Sequence, residues 1–265
     1  MYRGEDLTFA ICAYKKSKYL EECVKSIIDQ DIKSNVIITT STPNKYINDI
    51  AEKFKVPLYI NSLSNGIAED WNYAYRMCST DLVTLGHQDD IYNVDFSKEI
   101  LTHINMSSKP LIAFTNYNEL RNGIIVTKNN LLRTKRILLY PLRFKNVWNS
   151  KWIRRRILSL GSAICCPSVT FVKPNLPENI FQIGMKSNID WEAWEMISKR
   201  SGSFVYCSKP VINHRIHEES TTSDIIKSGI RYREDLFMFQ KFWPKWFAVI
   251  LEKIYIKGEK SNGVK

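Results

Sequence analysis

In the run Thr84-Leu85-Gly86-His87-Gln88-Asp89-Asp90, two adjacent carboxylates stand directly behind an apolar, strand-like segment, Leu82 to Leu85. If that segment is a parallel strand, both acids fall in the loop at its carboxyl end, where open α/β sheets bind their ligands. Without a neighbouring Lys or Arg the carboxylates repel one another and require protons or a cation. A hard divalent ion, Mg2+ or Mn2+, shared with a diphosphate meets that need. The composition also fits an ordinary turn, and the dipeptide alone leaves the two readings level. His87, just before the pair, is placed to join a metal shell, although a lone His more often packs or hydrogen-bonds.

The elements that must position this loop follow from hydrophobic periodicity. Leu7 to Ala13 is a strand-like run ending at Tyr14, and Leu20, Cys23, Val24, Ile27 and Ile28 recur with helical spacing behind it. Ser17 suits the N-cap of that helix, and Glu21 and Glu22 suit its positive end. Asn35 to Thr40 reads as a second strand, and Thr42-Pro43-Asn44 opens a helix with Ile47, Ile50, Ala51 and Phe54 on one face. Val56 to Ile60 is a third strand, and the turn Ser64-Asn65-Gly66 leads into a helix bearing Ile67, Trp71, Ala74, Tyr75 and Cys78. That helix delivers the chain to the strand ending at the acid pair. The order β-α-β-α-β-α-β predicts a doubly wound, mostly parallel sheet with right-handed crossovers.

Beyond Asp90 the regularity loosens. A helix is predicted over Phe96 to Ile104, a strand over Leu111 to Thr115 and a basic amphipathic stretch over Trp148 to Leu160. Ile189 to Arg200 reads as a helix with Trp191, Trp194 and Ile197 toward the core, and Ser203 to Cys207 as a strand. No repeat or linker divides the 265 residues, and a 44% hydrophobic content supplies a full core. The six cysteines sit mostly in apolar runs without C-x-x-C spacing, as expected of buried reduced thiols. With no leader-like N-terminus and no membrane-length apolar run, the chain is expected in the cytosol.

The net charge of +11 is concentrated, since no acid occurs between Glu119 and Glu178 while Arg133, Lys135, Arg136, Arg143, Lys145, Lys151 and Arg154-Arg155-Arg156 all fall there. A solvated basic face is one reading; contact with nucleic acid, anionic lipid or a phosphorylated substrate is the other. Interleaved Ile137, Leu138, Tyr140, Phe144, Trp148 and Trp152 favour a membrane surface. The tail repeats the theme in Phe239-Gln240-Lys241-Phe242-Trp243-Pro244-Lys245-Trp246-Phe247, a composition suited to a membrane interface and equally to packing on the domain.

Four features in order then carry a family resemblance. Phe9-Ala10-Ile11-Cys12-Ala13-Tyr14 with Tyr19-Leu20-Glu21-Glu22-Cys23 opens the set, followed by Asn65-Gly66 with Trp71-Asn72, by Asp89-Asp90, and by Asn188-Ile189-Asp190-Trp191-Glu192-Ala193-Trp194. His214-Arg215-Ile216-His217-Glu218-Glu219-Ser220-Thr221-Thr222 closes it. From about Leu7 to about Thr222 the chain resembles the family 2 glycosyltransferases, which have the GT-A fold. The resemblance implies an α/β nucleotide-sugar-binding half (about 5–115), a smaller acceptor and catalytic half (about 116–225) and a C-terminal amphipathic helical tail (226–265).

It also implies an inverting transfer from a nucleotide-diphosphate sugar, a UDP-sugar first, to a hydroxyl of a glycan or lipid-linked acceptor, in cell-surface polysaccharide biosynthesis. Asp90 and Asp89 would hold Mn2+ or Mg2+ with His217, and Asp190 would be the base, although an N-cap role suits Asp190 equally. Donor contacts are expected from Ala13, Tyr14, Thr40, Ser41, Asn65, Gly66, Trp71, Asn72, Gln88, Asp89 and Arg215. Two departures bear on the nucleotide base. The loop Thr39-Thr40-Ser41-Thr42-Pro43-Asn44 lacks the acids usual in the family, and Trp71 stands where an Arg is usual. Base recognition is then left to backbone groups, Thr or Asn side chains, or stacking on Tyr14.

Other classes fit less well. A nucleotidyltransferase or an NAD-dependent enzyme would want a phosphate cradle, yet Cys12-Ala13-Tyr14-Lys15-Lys16-Ser17-Lys18 contains no G-x-G-x-x-G, and no P-loop occurs. A nucleic-acid-binding module would explain the charge, but no binding motif accompanies the basic stretch, and no nucleic acid partner is expected. Peripheral attachment to the cytoplasmic face of the membrane remains the expectation for the basic stretch and tail.

Overall fold

The computed structural model describes residues 1–217 and 230–261. Of the late polar segment, Glu218 to Thr222 lie outside the described residues. β1 (Leu7–Ala13), α1 (Leu20–Ile28), β2 (Asn35–Thr40), α2 (Lys45–Phe54), β3 (Leu58–Ile60), α3 (Ile67–Met77) and β4 (Leu82–His87) alternate as the periodicity predicts. Asn44 caps α2 by accepting the Ile47 N–H at 3.1 Å. Two boundaries move for local reasons. Ser17 accepts the Leu20 N–H through its carbonyl, forming a turn, and α1 begins only at Leu20. Val56 is drawn off β3 because its N–H closes the end of α2 on Ala51 O, next to Lys55 in a left-handed conformation.

One sheet runs through the molecule in the order β3-β2-β1-β4-β8-β6-β9-β5. Its first four strands are parallel, with Ala13 level with Thr40 and Cys12 level with His87, so the carboxyl ends of β1, β2 and β4 form one rim. β5 (Ile91–Tyr92) and α4 (Phe96–Ile104) follow the acid pair. β8 (Val169–Val172) then joins β4 to β6 (Pro110–Arg121) with antiparallel pairing, β7 (Ile124–Val126) hangs on β6, and β9 (Ser203–Ile216) lies parallel to β6.

β6 and β9 both run well beyond the predicted Thr115 and Cys207. Apolar patterning stops at Thr115, but Asn116, Asn118 and Glu119 are also buried. Glu119 is satisfied there by Arg121 Nε and Asn129 Nδ2, each at 2.7 Å. Three register shifts absorb the irregular residues, among them Pro210.

α5 (Asn130–Leu139) and α6 (Lys151–Leu158) carry the basic stretch, in which the predicted helix from Trp148 starts only at Lys151. This stretch is partly internal. Trp148 is buried with its indole on Leu142 O, and Arg154 is buried with its guanidinium on the carbonyls of Ser198, Arg200 and Gly202, at the C-terminus of α7 (Ile189–Ser198). Trp191 and Trp194 of α7 are wholly buried.

The tail forms α8 (Ile230–Gln240) and α9 (Lys245–Ser261), and Phe239, Phe242 and Tyr255 gather around Trp191. Burying a ring such as Phe239 stabilises by roughly 2 kcal/mol, so these aromatics are held by packing. All six cysteines are free thiols, five of them buried. No helix among the described residues is long and apolar enough to cross a membrane.

Candidate functional site

The turn after β4 is tied on three sides. Asp90 N–H donates back to His87 O at 3.1 Å, and the Cys23 thiol of α1 donates to the same carbonyl at 3.2 Å. The chain then enters β5, which pairs antiparallel with the end of β9, Ile91 opposite Asn213. This short pairing brings residues 214–217 onto the acid pair across more than 120 positions of sequence.

Asp90 is fully buried. Its Oδ1 accepts from the Arg215 N–H (2.8 Å) and meets His214 Nδ1 (2.9 Å), while Oδ2 is buried without a hydrogen-bond partner among the described residues. An ionised carboxylate oxygen left so is costly unless a cation meets it. Asp89 Oδ2 meets His217 Nε2 at 2.9 Å. Burial opposes ionisation of Asp89, but the His217 hydrogen bond and the charges of His87 and His214 outweigh it and hold its carboxyl below the usual range. Burial likewise works against charge on His214, yet Asp90 and Asp89 raise its pKa overall.

The donor set, two carboxylates with an imidazole, suits a hard divalent ion of the Mg2+ or Mn2+ type, and the orphaned Oδ2 of Asp90 fits one. Among the described residues, the group of three ligand-type atoms that all lie within 4.8 Å of one another is a different one, Glu99, His103 and Cys207. There the Lys209 ammonium, 2.9 Å from Glu99 Oε1, already supplies the cation, and burial pushes the Cys207 thiol up to about 12.

Arg215 is committed to the loop. Its Nε donates to Asp89 O (2.8 Å), its Nη2 to Glu22 Oε2 (2.5 Å), and its guanidinium stacks 4.1 Å over the Tyr19 ring. It therefore braces the turn to α1, and the donor contact expected of it would need Glu22 to be displaced. His87 lies flat against Trp71, with centroids 5.1 Å apart, and its Nε2 is buried without a partner among the described residues. Burial holds its pKa down, against the pull of Asp90 and Asp89.

Asp190 sits in the first turn of α7, behind Asn188 at the cap, and its Oδ1 accepts the Trp191 N–H at 2.7 Å. Burial raises its carboxyl pKa, opposed by that hydrogen bond and by the charges of Lys135, Arg231 and His87. His87 in turn feels Asp90, Asp89, His214 and Asp190, and the thiols of Cys165 and Cys166 feel both Asp90 and Asp190. His87 and these two thiols thus lie within electrostatic range of both the acid pair and Asp190. Glu192 is turned to Lys241 Nζ, 2.7 Å away.

The loop before α7 is held by the tail. Glu234 of α8 accepts the N–H groups of Lys186 (2.8 Å), Ser187 (2.7 Å) and Asn188 (3.0 Å), and Asp235 accepts from Asn188 Nδ2 (2.7 Å). A carboxylate against three N–H groups at a helix start is favourable to both.

On the donor side, Gln88 exchanges two hydrogen bonds with the backbone of Tyr14 (2.9 and 3.0 Å), leaving that ring 47% exposed. Ala13 and Thr40 are buried on the rim, and Thr40 Oγ1 accepts the Thr42 N–H. Ser41 Oγ donates to Asp70 of α3 (2.7 Å), as does Asn61 Nδ2 (2.9 Å). Asp70 of α3 thus stands beside the loop after β2. Asn65 and Gly66 are exposed at the start of α3, where Gly66 takes φ 111°, a conformation that favours glycine. Asn72, like Arg215, is committed elsewhere, its buried amide being spent on Phe181 O, Ile180 N and Phe181 N. Beside the rim, an open groove of about 730 Å³ is lined by Lys15, Lys16, Thr42, Asn44, Lys45 and Tyr46.

Residues 8–160 match the family model described as Glycosyl transferase family 2. No curated protein matches the sequence. Among solved structures, S. aureus TarS 1-349 in complex with UDP-GlcNAc is similar at a TM-score of 0.62 and 15% identity, over 94% of this chain and 71% of that one. Glucosyl-3-phosphoglycerate synthase from Mycobacterium tuberculosis, with Mn2+, UDP and glucosyl-3-phosphoglycerate, gives 0.58 and 15%, over 86% and 77%. The mannosyltransferase PcManGT from Pyrobaculum calidifontis, with GDP-Man and Mn2+, gives 0.61 and 12%, over 100% and 77%. At such identities the likeness is one of fold.

Proposed function

The chain belongs to glycosyl transferase family 2 and is a glycosyltransferase with the GT-A fold; from that premise we propose that it moves a sugar from a nucleotide diphosphate, UDP first, to a hydroxyl of a glycan or lipid-linked acceptor, with inversion. The observation that carries the reading is the pairing of β5 with β9, which surrounds Asp89 and Asp90 with His214, Arg215 and His217.

Asp90, through its orphaned Oδ2, Asp89 and His217 would hold the divalent ion, Mn2+ or Mg2+. When bound, such an ion stabilises the charge gathering on the departing diphosphate as a Lewis acid. Asp190 takes the proton of the acceptor hydroxyl as its oxygen bonds to the anomeric carbon and the bond from that carbon to the diphosphate oxygen breaks. Burial suits Asp190 to this, because a raised pKa makes a carboxylate a stronger base. The base of the nucleotide would lie near the exposed Tyr14 ring, with Asp70, Ser41 and Thr42 as the polar groups at hand.

Asp190→Asn tests the assignment. Donor binding should stay within about threefold while kcat falls by roughly a hundredfold to ten-thousandfold, the share a positioned base contributes. Retained transfer would rule Asp190 out. A thermal-shift screen of nucleoside diphosphates with and without Mn2+ identifies the donor; stabilisation by none of them would overturn the placement of the nucleotide on this rim.

A further inference from the structure

α5 carries two neighbouring cations with different surroundings. Arg136 is spent on the scaffold, donating to Thr127 O (2.6 Å), Tyr117 O (3.0 Å) and Asn116 Oδ1 (3.4 Å), which clamps the helix to the far end of β6. Lys135 takes no part in that clamp. Its Nζ stands 5.3 Å from the centroid of the Tyr117 ring, within a cation–π contact. The same ring lies 6.1 Å from that of His214, whose Nδ1 is 2.9 Å from Asp90. Lys135 is also close enough to Asp190, His214 and Cys165 for its charge to act on each of them.

This ammonium is half-buried, and no carboxylate among the described residues forms an ion pair with it. Arg231, which also acts on Asp190, is by contrast within 3.8 Å of Asp235. Burial works against charge on Lys135, and the groups beside it that favour the ammonium are the Tyr117 hydroxyl and ring face. A phenol and a ring face offset only part of the cost of withdrawing an ammonium from water, and an anion completes what they begin.

We propose that Lys135 receives an anionic group of a substrate, a carboxylate on the transferred sugar or a phosphate on the acceptor, held between Tyr117 and Asp190 beside the acid pair. This rests on the reading of that pair and Asp190 as the reacting centre. A nucleotide's own diphosphate is matched by the divalent ion at Asp89 and Asp90. Lys135 instead acts on Asp190, where sugar and acceptor would meet, so it selects between charged and neutral partners there. Lys135 is thus a specificity residue, and its effect on Asp190 makes it a positioning group for the base as well.

The test is titration calorimetry on the full chain with Mn2+, comparing UDP-glucuronic acid with UDP-glucose, and GDP-mannuronic acid with GDP-mannose. Inorganic phosphate is then titrated into protein already saturated with the nucleoside diphosphate. A charge-assisted hydrogen bond is worth on the order of tenfold in affinity. A preference of that size for the uronate donor, lost in Lys135→Met and kept in Lys135→Arg, assigns the anion to the sugar. Binding of phosphate to the nucleotide-loaded protein with the same dependence assigns it to the acceptor. Normal nucleotide binding in all variants, with neither response depending on residue 135, overturns the proposal. Failure of every nucleotide to bind overturns the underlying reading, and the proposal falls with it. Lys135→Gln takes the place of Lys135→Met should the latter not fold, as judged by circular dichroism.

Discussion

To act as the proposed base Asp190 must be ionised, and burial sets its carboxyl pKa above the ordinary carboxylate value. Transfer should therefore fail as the pH drops through a point higher than an unperturbed aspartate would give, and be present above it. The Lys135 charge lowers that pKa, so Lys135→Met should move the acid limb of the kcat profile to higher pH; an unmoved or falling limb would show that the two groups do not communicate. Asp90 makes a different demand. In Asp90→Asn an amide replaces the oxygen that has no partner, and the Mn2+-dependent part of nucleotide stabilisation should disappear while metal-independent binding remains. Equal loss of both would point to a collapsed loop instead. The acid pair itself is legible in sequence because its chemistry is local: two charges after a strand. Its setting is not. Neither His214 against Asp90 nor Glu22 against Arg215 could be anticipated from residues 124 and 193 positions apart, since only the fold decides such pairs.

The same division holds for whole elements. α1 to α3 could be placed from apolar spacing because each buries one regular face, as Ile47, Ile50 and Ala51 do on α2, and β1 and β4 because they are near-continuous apolar runs buried on both faces. β6 and β9 were legible only over Leu111 to Thr115 and Ser203 to Cys207. Their continuations carry buried Asn116, Asn118, Glu119 and Asn213, which hydropathy cannot tell from a loop. The missed halves are the ones that carry His214 and present Tyr117 to Lys135. α8 offers a further case. Its Glu234 binds three N–H groups ahead of α7, a role with no sequence signal because the donors are backbone atoms 46–48 residues away. Glu234→Ala should release that loop and displace Asp190 by a fraction of an ångström, lowering kcat by roughly ten- to a hundredfold with little change in donor affinity. Glu234→Gln, retaining one acceptor oxygen, should lie between. An unchanged kcat in Glu234→Ala would show that α7 holds its own start without the tail.

At the scale of the molecule, the excess of positive charge and the final helix bear on where an acceptor is met. α9 packs through Ala248, Leu251, Glu252 and Tyr255, and its other face exposes Trp246, Ile250 and Ile254, at 69%, 46% and 62%, one helical turn apart. Lys245 and Lys253 stand exposed on the same helix, and Arg156 of α6 lies 4.9 Å over Trp243 at its approach. An exposed apolar stripe edged with lysines fits an anionic lipid surface, where Trp settles at the interface and each Lys adds about 1 kcal/mol. We propose that this face rests on such a surface and so lets a lipid-linked acceptor reach Asp190. The full chain should then co-sediment with phosphatidylglycerol vesicles at low salt, release as salt screens the lysines, and bind phosphatidylcholine vesicles weakly. Replacing Trp246, Ile250 and Ile254 together by Ser should abolish sedimentation without altering nucleotide affinity, because these side chains face away from the core. Wild-type protein that stays in the supernatant would end the membrane reading, and a dimer dissolved by the triple substitution would assign the stripe to a second copy of the chain instead.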